Sequence, residues 1–284
     1  MEIEIIDDQQ LQKVYILENL FRNISQDMHY LFDAPMLLGE KFFDSYKIFS
    51  ALFPPGESRN AYENTIMALY KKNPTMLSND KINAIDKLDN LDIPILDPDN
   101  PLSIDFAISI EKYFNSHSDN INEFFGLIFG FQLPKNISFV IRKSYTNATY
   151  ANMLTANPII IGLSLNSGFN LPKKTSIILH EILHALIKIN NKINYTTNLQ
   201  GSANLFEEAL IDYFAPYGIL TEKLGLTEQK EIDIYCMDAI RYRPKSKEIS
   251  QELLPVIKSY YQSKFEQTIW GYLSDTKFKD FITR

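Results

Sequence analysis

The sequence predicts an α+β fold, and three observations carry that prediction. Residues 9 to about 130 place apolar side chains at helical spacing, while residues 137–141 and 158–165 are short β-branched runs bounded by turn residues. After Pro172 the helical period returns and persists towards residue 284. With 284 residues, 45% hydrophobic and 22% charged, the chain is long enough for a sizeable core and has the balance of a folded protein.

In the first stretch Leu11, Val14, Tyr15, Leu17, Leu20 and Phe21 recur at helical spacing, and Ala61 to Tyr70 and Lys81 to Leu91 repeat the pattern. Pro54-Pro55-Gly56, Asn73-Pro74 and the Asp92 to Pro101 stretch, with Pro94 and Pro98, separate these helices, and the last of them is the best internal boundary. The apolar stripes here read as core and contain no chemical motif. Ile137 to Ile141 and Pro158 to Leu165 follow as strands, and between them the polar Ser144 to Thr155 fits an exposed edge strand or a hairpin. A loop at Asn166 to Asn170 leads into a helix with Pro172 in its first turn, running to about Asn190. A second helix starts at Gly201-Ser202 and stops at Pro216-Tyr217-Gly218. Residues 227–284 read as three or so further helices, with Pro244 and Pro255 as breaks or first-turn residues.

Charge and composition narrow the function classes. With 28 basic against 35 acidic residues the net charge is -7, which lacks the electropositive footprint of a nucleic-acid binder. The longest fully apolar stretch, about Phe124 to Phe131, is far short of the ~18–20 residues of a membrane span. Met1 to Asp8 is acidic where a secretory signal needs a basic start, so a cytoplasmic location is expected, with a signal-independent export route left open. Cys236 is the single cysteine, so any metal must be held by histidine and carboxylate.

Such a set stands on the helix after Pro172, which reads His180-Glu181-Ile182-Leu183-His184. Helical positions four apart lie on one face, so His180 and His184 can present two imidazoles to one ion. Glu181 projects beside them, placed to act as a general base rather than a ligand. Two histidines on a buried helix can also simply bond to backbone carbonyls, and the five-residue pattern arises by chance in unrelated chains. Here, however, two of only four histidines fall in the pattern around a Glu.

A catalytic zinc keeps three protein ligands and an open position. The extended motif with a third histidine, H-E-x-x-H-x-x-G-x-x-H, would need Gly at 187 and His at 190, but these are Ile187 and Asn190. The next helix reads Asn204-Leu-Phe-Glu207-Glu208-Ala-Leu-Ile-Asp212-Tyr213, which puts Glu208 and Asp212 on one face. Glu208 can complete the ligand set, and Asp212 can accept the free N–H of a ligating imidazole. Adjacent helical residues project ~100° apart, so only one of Glu207 and Glu208 is expected to face the histidines. On that geometry Glu207→Ala is expected to leave zinc binding nearly intact. A solvated acidic helix face is the plain alternative, but Phe206, Leu210, Ile211 and Phe214 crowd this helix.

From about Ile137 to Phe214 these residues resemble the gluzincin zinc metallopeptidases, the thermolysin-like and aminopeptidase-like group with H-E-x-x-H and a downstream Glu. The resemblance implies a zincin fold with a small mixed sheet over the metal-binding helix and helix-rich N- and C-terminal regions. The expected division is 1–130 helical, matching no element of that family, 131–218 catalytic core, and 219–284 helical and closing the cleft. It also implies one zinc held by His180, His184 and Glu208, with Glu181 as general base and Asp212 bonded to His180. A peptide or protein would be hydrolysed, its extended backbone pairing with a sheet-edge strand, either Pro158 to Leu165 or Tyr150 to Thr155. Twenty-three residues separate His184 from Glu208, somewhat more than in the best-known members, and Glu207 stands where some members have Asn supporting the second ligand His. Tyr217, Tyr235, Arg241, Tyr242, Tyr260 and Tyr261 are the candidates for stabilising the oxyanion. The alternatives are a catalytically inactive binding protein on the same fold and a toxin or effector protease with a single protein target.

Overall fold

The computed structural model describes residues 1–21, 38–93, 95, 100–143, 151–165, 170–195, 200–216, 218–228, 231–242 and 244–283. The fold is α+β, a set of helices with one small mixed sheet. The chain forms two compact units. One comprises Met1–Glu2, Ser109–Asn136 and Asn170–Arg284, and the other Ile3–Ile108 and Ile137–Phe169. These boundaries differ from the 1–130, 131–218 and 219–284 division, because the strands after residue 136 join the sheet begun by the N-terminal residues.

The unit of Ile3–Ile108 and Ile137–Phe169 holds the sheet and the first helices. Its strands are β1 (Glu2–Ile5), β2 (Asn136–Lys143), β3 (Ala151–Thr155) and β4 (Ile160–Leu165), in the order β1-β2-β4-β3. β2 and β4 pair in parallel, with Ser138 opposite Ile160 and Lys143 opposite Leu165, and β3 runs antiparallel to β4. β4 is buried along its whole length, as its unbroken apolar run requires. It is therefore an inner strand paired on both sides. Pro158 to Leu165 cannot be the edge strand that the resemblance implied, and of the two candidates only the segment ending at Thr155 lies at an edge. Residues 144–150, the first part of the expected edge strand or hairpin, lie outside the described residues, as do 166–169 of the expected loop and much of the 92–101 boundary.

α1 (Gln9–Phe21), α2 (Phe42–Leu52), α3 (Arg59–Tyr70) and α4 (Asn79–Asp89) supply the core of this unit through Leu11, Leu17, Leu52, Ile66 and Leu88, with Val140 and Ile160 from the sheet. Ser58 and Ser78 cap α3 and α4, each accepting from a backbone N–H of the first turn. Gly162 admits the ring of Tyr15, which a Cβ there would meet at 2.2 Å. The fully buried Glu18 side chain accepts from Tyr62 at 2.6 Å and Asn152 at 2.7 Å, so α1, α3 and β3 meet at one hydrogen-bonded group.

α5 (Pro101–Ser116) leads to α6 (Ser118–Phe124), which continues into a π-helical turn, Phe125–Phe129, ended by Gly130 at φ 68°. The apolar run there is core of the other unit: Phe129 packs edge-on to Phe214 at 4.9 Å, and Trp270 donates to the Phe129 carbonyl at 2.8 Å. Among the described residues the remaining helices are α7 (Leu171–Ile189), α8 (Gln200–Asp212), α9 (Ile219–Lys223), α10 (Ile232–Tyr242), α11 (Lys247–Gln262) and α12 (Ile269–Ser274). Pro255 lies inside α11 rather than at a break, since the buried stripe Leu253, Ile257 and Tyr260 carries the helix through it. Among the described residues no helix is long and apolar enough to cross a membrane.

Candidate metal centre

α7 begins at Asn170, whose side chain accepts from the Lys173 N–H at 2.9 Å, with Pro172 in the first turn. Ile178, Leu179, Ile182, Leu183 and Ile187 have no exposed surface, and His180 and Glu181 are buried among them. α8 buries Ala203, Phe206, Leu210 and Ile211 in the same unit, which leaves Glu207 and Asp212 buried and Glu208 partly exposed. The helical spacing read from the sequence thus brings His180, His184 and Glu208 together.

Nε2 of His180 lies 3.0 Å from Nε2 of His184, and Oε2 of Glu208 lies 3.4 and 3.5 Å from the two nitrogens. Tetrahedral zinc with bonds of about 2.0–2.1 Å sets its ligand atoms about 3.3–3.4 Å apart, so the two separations to Glu208 are close to those of a tetrahedral face and the 3.0 Å between the imidazoles is somewhat shorter. They could hold a metal ion, and the donor set of two imidazoles and one carboxylate suits zinc.

The other ring nitrogens define the tautomers. Nδ1 of His180 is 2.9 Å from the Ala215 carbonyl, which can only accept, so Nδ1 donates a proton there and Nε2 is the atom left facing His184. Nδ1 of His184 donates to Oε1 of Glu207 at 2.7 Å, and the Tyr195 hydroxyl donates to Oε2 of the same carboxylate. Burial opposes charge on His184, but the Glu208 and Glu207 carboxylates outweigh it and hold its imidazole well above 6.5.

Nδ1 of His180 faces two acceptors, the Ala215 carbonyl at 2.9 Å and, at 3.5 Å, Oδ1 of Asp212, the partner that the resemblance implied. Glu207 and Glu208 were expected to exclude each other, yet both reach His184, from its Nδ1 and Nε2 sides. The ~100° between neighbours constrains Cβ, whereas three further bonds let each Glu carboxylate swing to its own side of the ring.

Of the candidate oxyanion stabilisers, Tyr260 directs its hydroxyl at the carbonyls of Ile128 and Gln267, and Tyr235 donates to Glu222 at 2.7 Å. Both donors have other employment. Tyr261 is kept neutral by burial and by Glu222 and Tyr235 beside it. Tyr217 and the side chains of Arg241 and Tyr242 lie outside the described residues. Spacing could not reveal Tyr195, which sits beyond the last periodic turn of α7, and Ala215 acts through its backbone alone.

Compared with protein-family models, curated proteins and solved structures, the chain matches none of them.

Proposed function

We propose that this chain is a zinc-dependent peptidase with a zincin-type site. The observation that supports it best is the near-tetrahedral spacing of His180, His184 and Glu208 beside Glu181, the sequence neighbour of one imidazole. Zinc, when bound, supplies a Lewis acid that polarises a carbonyl and lowers the pKa of water. The residues do the rest. His180 and His184 turn their Nε2 atoms to the site, oriented by Ala215 and Glu207 at their Nδ1 sides, and His184 gives up its Nε2 proton when it ligates. Glu208 adds one negative charge, and Glu181 takes a proton from the attacking water and returns it to the leaving amine. The substrate is a peptide or protein.

The test joins elemental analysis to a broad peptide library. One zinc per chain and cleavage by the parent are expected, with Glu181→Gln retaining zinc but losing at least ~10² in turnover. A parent that neither carries nor takes up zinc overturns the reading, and unchanged turnover in Glu181→Gln removes Glu181 from the mechanism.

A second reading draws on the charge state of His184. A doubly protonated His184 donates to Glu207 and to Nε2 of His180, so a proton satisfies the network and the chain serves as a non-catalytic binding protein. Zinc uptake without cleavage of any library member would favour a scaffold, or an effector protease with a single protein target, over a general peptidase.

A further inference from the structure

We infer that Tyr195 is a positioning residue of this metal centre, acting on His184 through Glu207; the inference rests on the zinc reading above. Glu207 is buried, and its two oxygens have different donors: Oε1 takes the His184 Nδ1 proton at 2.7 Å and Oε2 takes the Tyr195 hydroxyl. A carboxylate anchored at one oxygen can still turn about its last torsion, which is broad and two-fold. A second donor fixes its plane. The orientation of the His184 ring, and so the direction of its Nε2 lone pair, then depends on a residue that is not a ligand.

The placement of Tyr195 is built rather than incidental. The segment before it pairs with residues near 282: Ile193 bridges Ile282, the Asn194 N–H donates to the Phe281 carbonyl at 2.8 Å, and the Thr283 N–H donates to the Lys192 carbonyl at 3.1 Å. Phe281 also stacks on Phe206, the residue before Glu207, with ring centroids 4.7 Å apart. One short segment therefore ties down both the stretch bearing Tyr195 and the turn of α8 bearing Glu207. The hydroxyl proton of Tyr195 is committed to Glu207, which separates its role from that of an oxyanion donor.

A double-mutant cycle read by zinc affinity tests the inference without recourse to activity. Parent, Tyr195→Phe, Glu207→Ala and the double variant are titrated with zinc against a chromophoric chelator, and the visible spectra of their cobalt forms report ligand geometry. Glu207→Ala should weaken zinc about 10–100-fold, and Tyr195→Phe, one bond further out, about 3–10-fold with a shifted cobalt spectrum. The double variant should bind within about twofold of Glu207→Ala, since both act along one path. Should Glu207→Ala fail to fold, the isosteric Glu207→Gln takes its place in the cycle. Full affinity in Tyr195→Phe, or the same loss with and without Glu207, overturns the inference while leaving the zinc site standing. A parent that binds no zinc overturns both.

Discussion

Glu207 and Glu208 are neighbours of like charge, yet the geometry gives them separate tasks whose removal should differ in size. Glu208 places Oε2 near both Nε2 atoms, so Glu208→Ala deletes one of the three proposed ligands and should abolish tight zinc binding. Glu207→Ala leaves the ligands in place but frees His184, which should cost about 10–100-fold rather than nothing. Asp212→Ala should cost less than about tenfold, because the Ala215 carbonyl still holds Nδ1 of His180. Chelator competition on the three variants checks the order, and a loss in Asp212→Ala equal to that in Glu208→Ala would show Asp212 to be the true partner. The clustering of His180 with His184 was legible because i and i+4 on a helix is a local rule. The resemblance marked position 207 as a support for the second histidine, but that Glu207 and Glu208 both reach His184, and that Ala215 meets His180, was not legible, because a carboxylate's reach and a turn's carbonyl depend on tertiary placement.

Between α8 and α9 a tight turn aims the Ala215 carbonyl at His180, and Gly218 makes that turn possible. A Cβ at position 218 would lie 1.9 Å from the Tyr213 carbonyl oxygen and 2.5 Å from the Phe214 nitrogen, both backbone atoms. The same two residues accept the Ile219 and Leu220 N–H groups at 3.1 and 3.0 Å, so relieving the clash moves the whole turn. Gly218→Ala should therefore destabilise by about 1–3 kcal/mol or more and weaken zinc as well. Gly126→Ala is the control, since its Cβ meets only the Phe131 carbonyl oxygen at 3.9 Å. Equal melting midpoints for the two variants would refute the argument. Legibility at this scale follows the strength of periodicity. α1, α3, α4 and α7 announce themselves through long apolar stripes, and β2 and β4 through β-branched runs. β1 alternates Glu-Ile-Glu-Ile with exposed and half-buried positions, but four residues are too few to outweigh an acidic start. Pro255 misleads because a local rule predicts a break that the packing of α11 overrides.

For the whole molecule, every group of the proposed centre lies within Asn170–Arg284 of a single compact unit, so zinc should stabilise the chain through that unit. The pH dependence follows from His184, which Glu208 and Glu207 on α8 and His180 on its own helix face, with Tyr195 behind Glu207. In the metal-free protein its imidazole titrates well above 6.5 despite burial. A folded pKa raised above the unfolded one gives stability that is complete below the unfolded value and lost as pH rises through the folded value. Zinc needs the Nε2 lone pair, so below the folded value uptake must expel a proton, and affinity should fall about tenfold for each pH unit lost. The two effects have opposite signs. His184 alone favours the metal-free protein at about pH 6, whereas the zinc-induced rise in melting midpoint should be larger at about pH 8. At zinc one hundred times above Kd the stabilisation is about 2.7 kcal/mol, enough to read in a thermal scan. Titration calorimetry in buffers of different ionisation enthalpy should count about one proton released per zinc near neutral pH. Hydrogen exchange should slow first in α7, α8 and the turn at 213–216, where the donors and their partners sit. A zinc shift as large at pH 6 as at pH 8, with no proton released, would mean that His184 is already neutral in the metal-free protein, and the carboxylates around it would lose the role assigned to them.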